Sequence, residues 1–188
     1  MKANMSKRLV PGVLTAAAMM TAVVALPPTG ATAEAAAPVT TLVFDKNPAD
    51  PTRSTLSVYK GGVPQSKPFR AGSGVGLTDE CVRNKGWIPN GNWKIKLKDK
   101  RYDGQFIKGY AVLLENMRCA RKSTPRTEMF IHSEMNRDGS QGKSEARRWD
   151  GAGDYKSNGC VKLSPSDITE LFGLLNRIGW PTHLRVVS

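Results

Sequence analysis

The stretch Trp93–Lys98 reads Trp-Lys-Ile-Lys-Leu-Lys and carries the clearest secondary-structure pattern in the sequence. Apolar and charged side chains alternate there with a period of two, which is typical of a half-buried strand whose lysines face water. The turn-forming residues Ile-Pro-Asn-Gly at 88–91 precede it directly. This segment therefore predicts a fold built mainly from β-strands.

Further strands are predicted on both sides of this segment. Short runs rich in β-branched and aromatic residues, bounded by Gly, Pro, Asn or Asp, occur at residues 41–46, 55–60, 109–115, 127–133 and 183–187. The first two runs are predicted to form a hairpin. The glycine-rich run 69–76 lacks the spacing of a phosphate-binding loop and is predicted to be a strand end.

One helix and one long loop complete the predicted fold. Ser164 is a suitable cap, Pro165 fits the first turn, and an apolar stripe follows as far as Ile178, which predicts a helix packed on the core. Residues 134–157 form a polar stretch with four glycines. Such a stretch is too long for an ordinary connection in a small domain, so we expect a lid or binding loop.

The first 37 residues have the three parts of a secretory signal. A basic start is followed by an apolar segment at residues 9–26 and by small-residue cleavage sites at residues 31–37. We expect cleavage near the end of this segment, which leaves one extracellular domain at residues 38–188. An uncleaved membrane anchor is the alternative. No other apolar run approaches the roughly 18 residues of a spanning helix, so the mature chain is expected not to cross a membrane.

The sequence is strongly basic. It has 28 Lys and Arg against 16 Asp and Glu, a formal charge of +12 over 188 residues. This surplus favours anionic partners, and the phosphate and carboxylate polymers of a bacterial wall are possible partners outside the cell. Nucleic acid is not expected as a partner, because secretion disfavours it and the basic residues form no stripe interleaved with aromatic ones.

Three cysteines enter an oxidising compartment, so one of them is left without a partner in its own chain. Cys81 and Cys119 both lie in polar, loop-like surroundings, and we expect them to form a disulfide. Cys160 is then either a buried apolar side chain, a thiol that pairs with another chain, or a nucleophile.

Cys160 lies in the run Ser-Asn-Gly-Cys-Val-Lys-Leu at 157–163, where a glycine-containing loop enters an apolar strand. Gly159 lets a substrate carbonyl approach the backbone closely. Lys156 and Lys162 are close enough in sequence to favour the thiolate, which is the nucleophilic form. The surroundings of this thiol therefore favour nucleophilic chemistry.

The sequence has two histidines that are candidates for the base that takes the thiol proton. His132 ends a predicted strand and faces the long loop that leads to Cys160, so it is the predicted general base, with a structural role as the alternative. His183 lies in the last predicted strand, where we expect a structural role. There is no close pair of His or Cys ligands, and neither a metal nor an organic cofactor is expected.

Two motifs resemble those of the L,D-transpeptidase (YkuD-like) catalytic domain family. The runs Ile-His-Ser at 131–133 and Ser-Asn-Gly-Cys-Val-Lys-Leu-Ser-Pro at 157–165 resemble its active-site signature, and Ile-Pro-Asn-Gly-Asn-Trp-Lys-Ile at 88–95 is similar to its turn and strand. The resemblance covers residues from about 40 to the end and makes 38–188 the expected catalytic domain. It implies a mostly β sandwich or barrel with one C-terminal α-helix and a long active-site loop, acting on peptidoglycan stem peptides at the cell wall.

The resemblance also assigns individual residues. Cys160 falls on the family's nucleophile and His132 on its base, while Ser157 and Gly159 match its loop residues. The backbone amides of Gly159 and Cys160 are candidates for the oxyanion hole. Asn158 stands where many members have a second histidine, and the 28 positions from His132 to Cys160 exceed the family's usual spacing. The sequence is thus a divergent Ser-x-Gly-Cys variant.

The implied mechanism is acyl transfer through a cysteine thioester, which an amine converts to a cross-link or water to a trimmed stem. The candidate substrate-binding residues are Asn158, Lys162, Arg147, Arg148, Trp149 and Tyr155. Two alternatives stay open: an L,D-carboxypeptidase or peptidoglycan-cleaving toxin with the same Cys/His pair, and a non-catalytic basic wall-binding protein. The protein is expected to be a monomer.

Overall fold

The computed structural model describes residues 36–188, so the predicted signal segment lies almost entirely outside the described part. Within residues 36–188 the chain forms eleven β-strands and one α-helix. These are β1 (Thr40–Asp45), β2 (Ser54–Lys60), β3 (Val63–Pro64), β4 (Phe69–Ser73), β5 (Gly91–Asp103), β6 (Lys108–Leu114), β7 (Met117–Arg118), β8 (Pro125–Arg126), β9 (Phe130–His132), β10 (Val161–Leu163), α1 (Pro165–Ile178) and β11 (His183–Val187). No helix in this part of the chain is long and apolar enough to span a membrane.

Eight of the strands close into a barrel. Their order is β1-β11-β5-β6-β9-β10-β4-β2, and β2 pairs back with β1 as the predicted antiparallel hairpin. The short β3 pairs with the last residues of β2, and β7 and β8 form a separate two-stranded sheet. Closure satisfies the backbone hydrogen bonds of strands that would otherwise lie at a sheet edge. The predicted mostly β class with one helix near the C-terminus is confirmed.

The barrel and α1 share one hydrophobic core. Inward-facing strand residues such as Trp93 and Ile131 belong to the same buried cluster as Ile168 and Leu171 of the helix. The apolar stripe predicted for the helix is therefore core packing.

The ends of α1 follow the predicted local chemistry. The Ser164 hydroxyl accepts the N–H of Asp167 at 3.2 Å, which satisfies one of the free amides of the first turn. At the other end Gly179 has a φ of 96° and donates its N–H to the Leu175 carbonyl at 2.9 Å. A left-handed φ of this kind favours glycine, and the helix ends there.

Strand β5 is longer than predicted and contains irregularities. Its pairing with β6 shifts between Ile95 and Leu97. The extra residue, Lys96, breaks the regular alternation, and Leu97 lies opposite Leu113, on the other face of the sheet from the core. Leu97 is 40% exposed. The predicted alternation of buried and exposed residues is therefore wrong beyond Ile95.

A disulfide joins Cys81 to Cys119, as predicted, and Cys160 is the free cysteine of the described chain. The bond connects the segment that precedes β5 to the β7–β8 hairpin. Both segments are loop-rich, so the covalent link limits how far they can separate.

Replacing Cys81 and Cys119 together by Ala is expected to lower the free energy of unfolding by about 4 kcal/mol, because the link no longer restricts the unfolded chain. The loop it closes has a sequence separation of 38. The corresponding fall in Tm is about 10 °C for a domain of this size. Differential scanning calorimetry of the oxidised protein checks the value, with Cys160→Ala as the matched control. A double variant that melts at the wild-type temperature would contradict this prediction.

Candidate active site

Cys160 lies at the end of a tightly bonded loop that enters β10. Ser157 organises the loop: its hydroxyl donates to the Cys160 carbonyl at 2.6 Å and accepts the N–H groups of Gly74 at 3.2 Å and Gly159 at 3.1 Å. Gly159 has a φ of 112°, which favours glycine at this position. Its amide is engaged by Ser157 in this state and is not free for an oxyanion.

The pairing of β9 with β10 places both catalytic candidates on one face. The two strands are parallel, with Val161 beside Ile131 and Lys162 beside His132. Val161 and Ile131 belong to the main core. Because side chains alternate along a strand, Cys160 and His132 lie on the opposite, outer face. They are diagonal neighbours on adjacent strands.

The Cys160 thiol is buried, with 8% of the residue exposed. Its sulfur lies 3.6 Å from the Glu128 carbonyl oxygen, which accepts the S–H hydrogen. Burial raises the pKa of the thiol to about 11, although the Phe130 N–H and the cations Arg126 and Lys162 lower it. The thiol is therefore protonated at pH 7.

Lys162 lowers the pKa of Cys160 and so favours the thiolate, as predicted, but burial has the larger effect. Lys156 is exposed, and the effect of Lys162 on the pKa of Cys160 is outweighed by burial. Lys162 is itself buried, forms an ion pair with Glu134 and donates to the Lys156 carbonyl at 2.9 Å. Its ammonium therefore serves internal partners.

Glu128 explains why the predicted strand at 127–133 is shorter in the structure. It has a φ of 56°, a left-handed conformation that is uncommon for a residue other than glycine. The extended strand begins only at Phe130. The same conformation accompanies the contact of the Glu128 carbonyl with the Cys160 sulfur.

His132 is held as a neutral imidazole. Its Nδ1 lies 3.0 Å from the Ser133 carbonyl oxygen, so this nitrogen carries the proton and Nε2 is the acceptor. Burial lowers the pKa of His132 to about 3, and the charge of Lys162 lowers it further, whereas the bond to Ser133 raises it. A neutral ring with a free Nε2 is the form that takes up a proton.

No hydrogen bond joins the Cys160 sulfur to the His132 imidazole among residues 36–188. Direct proton transfer between the two side chains would require them to approach each other. Such tightening on substrate binding is common for catalytic hydrogen bonds that are long in the free enzyme.

His183 lies elsewhere on the barrel. It pairs with Lys94 of β5, and its Nδ1 lies 2.8 Å from the Thr182 hydroxyl. Strands β5 and β6 separate β11 from β9. A groove of about 290 Å³ lies beside His183 and is lined also by Asn92 and Arg185. It belongs to another part of the barrel and does not include Cys160.

The long loop brings its two aromatic candidates together. The rings of Trp149 and Tyr155 meet edge to face with centroids 4.8 Å apart, and the Arg70 guanidinium lies 4.1 Å from the centroid of the Tyr155 ring. A Cβ on Gly72 would overlap the Tyr155 carbonyl oxygen, so the loop lies directly on β4. Gly72 pairs with Lys162 in β10, so this part of the loop lies next to the strand that follows Cys160.

The two arginine candidates of the loop have other partners. Arg147 donates to the Phe106 carbonyl at 3.0 Å, in the turn between β5 and β6. Arg148 forms ion pairs with Glu145 and Asp150. Both side chains hold the loop in place, and the structure does not bring them to Cys160.

Asn158 is an exposed residue of the loop that carries Cys160. It lines a polar cavity of about 60 Å³ together with Arg83, Arg126 and Glu128. This cavity lies next to Cys160, because the Glu128 carbonyl contacts the sulfur.

Two charged residues of the site are not indicated by the sequence motifs. Glu134 pairs with Lys162, and alternation along the chain after His132 was the only signal for it. Arg126 is 2% exposed and lies against Gly159. No local pattern in the sequence connects Arg126 with the nucleophile. No group of three or more His, Cys, Asp or Glu side chains in the described residues is arranged to hold a metal ion.

Alkylation of Cys160 in the free protein is expected to be slow at neutral pH. With a pKa of about 11, the thiolate fraction at pH 7 is about 10⁻⁴, and the rate should rise about tenfold per pH unit until about pH 10. Iodoacetamide labelling followed by mass spectrometry checks this, with Cys160→Ala as the control for background. A rate that levels off below pH 9 would contradict a thiol pKa of about 11.

Comparison with known proteins identifies the family of the chain. The family model of the L,D-transpeptidase catalytic domain (YkuD) matches residues 49–178, which include His132 and Cys160. No curated protein matches the sequence. Among solved structures, L,D-transpeptidase 3 from Mycobacterium tuberculosis, in complex with a faropenem-derived adduct, is similar with a TM-score of 0.45 and 15% identity, over 79% of this chain and 61% of that chain. Because the family model spans well over half of the sequence, the chain belongs to the L,D-transpeptidase (YkuD) catalytic domain family.

Proposed function

We propose that this protein is a cysteine acyltransferase that performs L,D-transpeptidation on peptidoglycan stem peptides through a thioester on Cys160. The observation that carries the proposal is the position of Cys160 and His132 on one face of two adjacent parallel strands. A protonated thiol near a neutral imidazole, with Nδ1 bonded to Ser133, suits attack assisted by a general base. Family membership supports the substrate class.

The reaction starts when Nε2 of His132 takes the proton from the Cys160 thiol. The sulfur attacks the carbonyl carbon between the third residue of a tetrapeptide stem and its terminal D-alanine, and the electron pair of the C=O bond moves onto oxygen. The C–N bond then breaks, the imidazolium returns its proton to the departing amine, and a thioester remains. An amine of a second stem attacks the thioester, which forms the cross-link and regenerates the thiol.

The negative charge on the tetrahedral oxygen requires a fixed donor. We assign this role to the Cys160 amide, because the Gly159 amide is already bonded to the Ser157 hydroxyl at 3.1 Å. Ser157 then acts by fixing the loop, since its hydroxyl is bonded to the backbone of both Gly159 and Cys160.

We assign the substrate-facing wall to the aromatic pair of the long loop. Trp149 is half-buried against Tyr155, and the loop lies on β4 next to the nucleophile strand. Asn158 is the further candidate for a substrate contact, because it is exposed beside Cys160. Arg147, Arg148 and Lys162 are weaker candidates, because internal hydrogen bonds and ion pairs engage all three.

The place of action is part of the proposal. Residues 1–37 are assigned as a cleaved secretory signal, and residues 38–188 as the catalytic domain that works as a monomer at the cell wall outside the cell. Residues 38–188 contain 25 Lys and Arg against 15 Asp and Glu, and this formal charge of +10 supports association with anionic wall polymers. The proposed chemistry uses only side chains and backbone amides of this chain.

Purified protein incubated with a disaccharide tetrapeptide is expected to yield a cross-linked dimer by mass spectrometry. Cys160→Ala should lose at least about 10³-fold in rate, because no thioester forms, and His132→Gln about 10²-fold or more, because the base is lost. His183→Gln is the matched control and should retain the wild-type rate, since strands β5 and β6 separate that imidazole from β9.

The products distinguish the alternatives. Tripeptide without dimer would identify water as the acceptor and hence a carboxypeptidase, and cleavage elsewhere in the polymer would indicate a peptidoglycan-degrading enzyme. Unchanged substrate would favour a wall-binding protein. Turnover by Cys160→Ala would refute the assignment of the nucleophile.

A further inference from the structure

Arg126 is a buried cation that ties two segments together. It is 2% exposed, and its guanidinium donates to the carbonyl oxygens of Glu80, Gly86 at 3.1 Å and Trp87 at 3.0 Å. One side chain therefore connects β8 with the segment that the Cys81–Cys119 disulfide also holds.

The same guanidinium supports the nucleophile loop from behind. A Cβ on Gly159 would overlap Nη2 of Arg126 and would lie 3.0 Å from the Gly86 carbonyl oxygen. The Gly159 carbonyl in turn accepts the Ser73 hydroxyl at 2.9 Å. Gly159 is thus held between Arg126 and Ser73, and it is the residue directly before Cys160.

The charge of Arg126 has no carboxylate partner. Within residues 36–188 no ion pair includes this guanidinium. Burial has the largest effect on the pKa of Arg126 and lowers it. The negative charge of a Cys160 thiolate raises this pKa, and that of Glu80 raises it less. The positive charge of Arg83 lowers it. A buried cation without a fixed counter-ion is costly, and in this site the anion that compensates it is the one formed on sulfur.

We propose that Arg126 is a positioning residue for Cys160. Arg126 fixes the nucleophile loop through its contact with Gly159, and its permanent positive charge stabilises the thiolate. The proposal rests on the acyl transfer proposed above and adds to it the group that makes proton transfer from a buried thiol possible. In a sequence with Asn158 in place of a second histidine, Arg126 supplies a cation close to the sulfur.

The electrostatics of the other partner explain why this charge is needed. When His132 takes the proton, the S–H bond breaks, the electron pair stays on sulfur, and an imidazolium forms beside Lys162. The charge of Lys162 lowers the pKa of His132 and so opposes the imidazolium. Stabilisation of the charge-separated pair must therefore come largely from the sulfur side, where Arg126 lies.

The test compares two substitutions that separate charge from hydrogen bonding. Arg126→Gln keeps hydrogen-bond donors but removes the charge. Iodoacetamide should alkylate Cys160 of this variant about tenfold more slowly than in the wild type at pH 8. Arg126→Lys keeps the charge and should remain within about threefold of wild type. Arg118→Gln, an exposed arginine of the same hairpin, is the matched control and should equal wild type. Circular dichroism confirms folding at the assay temperature.

Turnover gives a second readout. Arg126→Gln should lower kcat about 10- to 100-fold and leave KM within about threefold, because the charge acts on the reacting sulfur and not on substrate binding. The proposal is overturned if Cys160 of a folded Arg126→Gln protein is alkylated at the wild-type rate. It is also overturned if an Arg126→Lys protein is as slow as Arg126→Gln, because hydrogen-bond geometry alone would then account for the effect.

Gly159→Ala keeps the proposal testable if Arg126→Gln does not fold. The added methyl group would overlap Nη2 of Arg126 and strain a backbone with a φ of 112°, so the contact between the loop and the guanidinium would be lost, and alkylation at pH 8 should fall about tenfold or more. A folded Gly159→Ala protein with the wild-type alkylation rate contradicts the proposal.

Alkylation needs no substrate and is independent of the proposed acyl transfer. Wild-type protein that is inactive on tetrapeptide but shows the Arg126 effect on alkylation would refute the proposed function and support the role of Arg126. Active wild-type protein without that effect would do the reverse.

Discussion

The parallel pairing of β9 with β10 is the constraint on which the candidate site depends. Parallel strands cannot be joined by a tight turn and need a crossover of a dozen or more residues. The long loop between His132 and Cys160 is that crossover. The barrel therefore requires a long connection here, and the same pairing brings its two ends, which carry the proposed base and the proposed nucleophile, onto one face.

Burial then sets the charge state of the site. Both Cys160 and His132 are almost fully enclosed, and loss of water disfavours the thiolate and the imidazolium alike. The resting pair is neutral, in contrast to a preformed thiolate–imidazolium ion pair. Such a site limits reaction with unselected electrophiles, because ionisation costs free energy until a substrate provides further contacts.

The two buried cations of the site, Lys162 and Arg126, differ in their partners and in their position relative to His132 and Cys160. Lys162 forms an ion pair with Glu134 and lies beside His132, whereas Arg126 has no carboxylate partner within residues 36–188 and lies behind the loop that carries Cys160. The disulfide holds the segment whose carbonyls orient Arg126, so a covalent link that stabilises the fold is also connected to the nucleophile. Stability and reactivity meet in the same few residues.

Local sequence patterns were sufficient to predict the features that depend on neighbours along the chain. The strands and α1 follow from periodicity and capping, because side chains two or four positions apart share a face. The family signature pointed to Cys160 and His132. Three features could not be predicted in this way and are seen only in the folded protein: the bulged register of β5, the protonated thiol, and the place of Arg126 beside Gly159. These depend on burial and on contacts between residues far apart in sequence, and no local pattern encodes the water that folding removes from a particular sulfur.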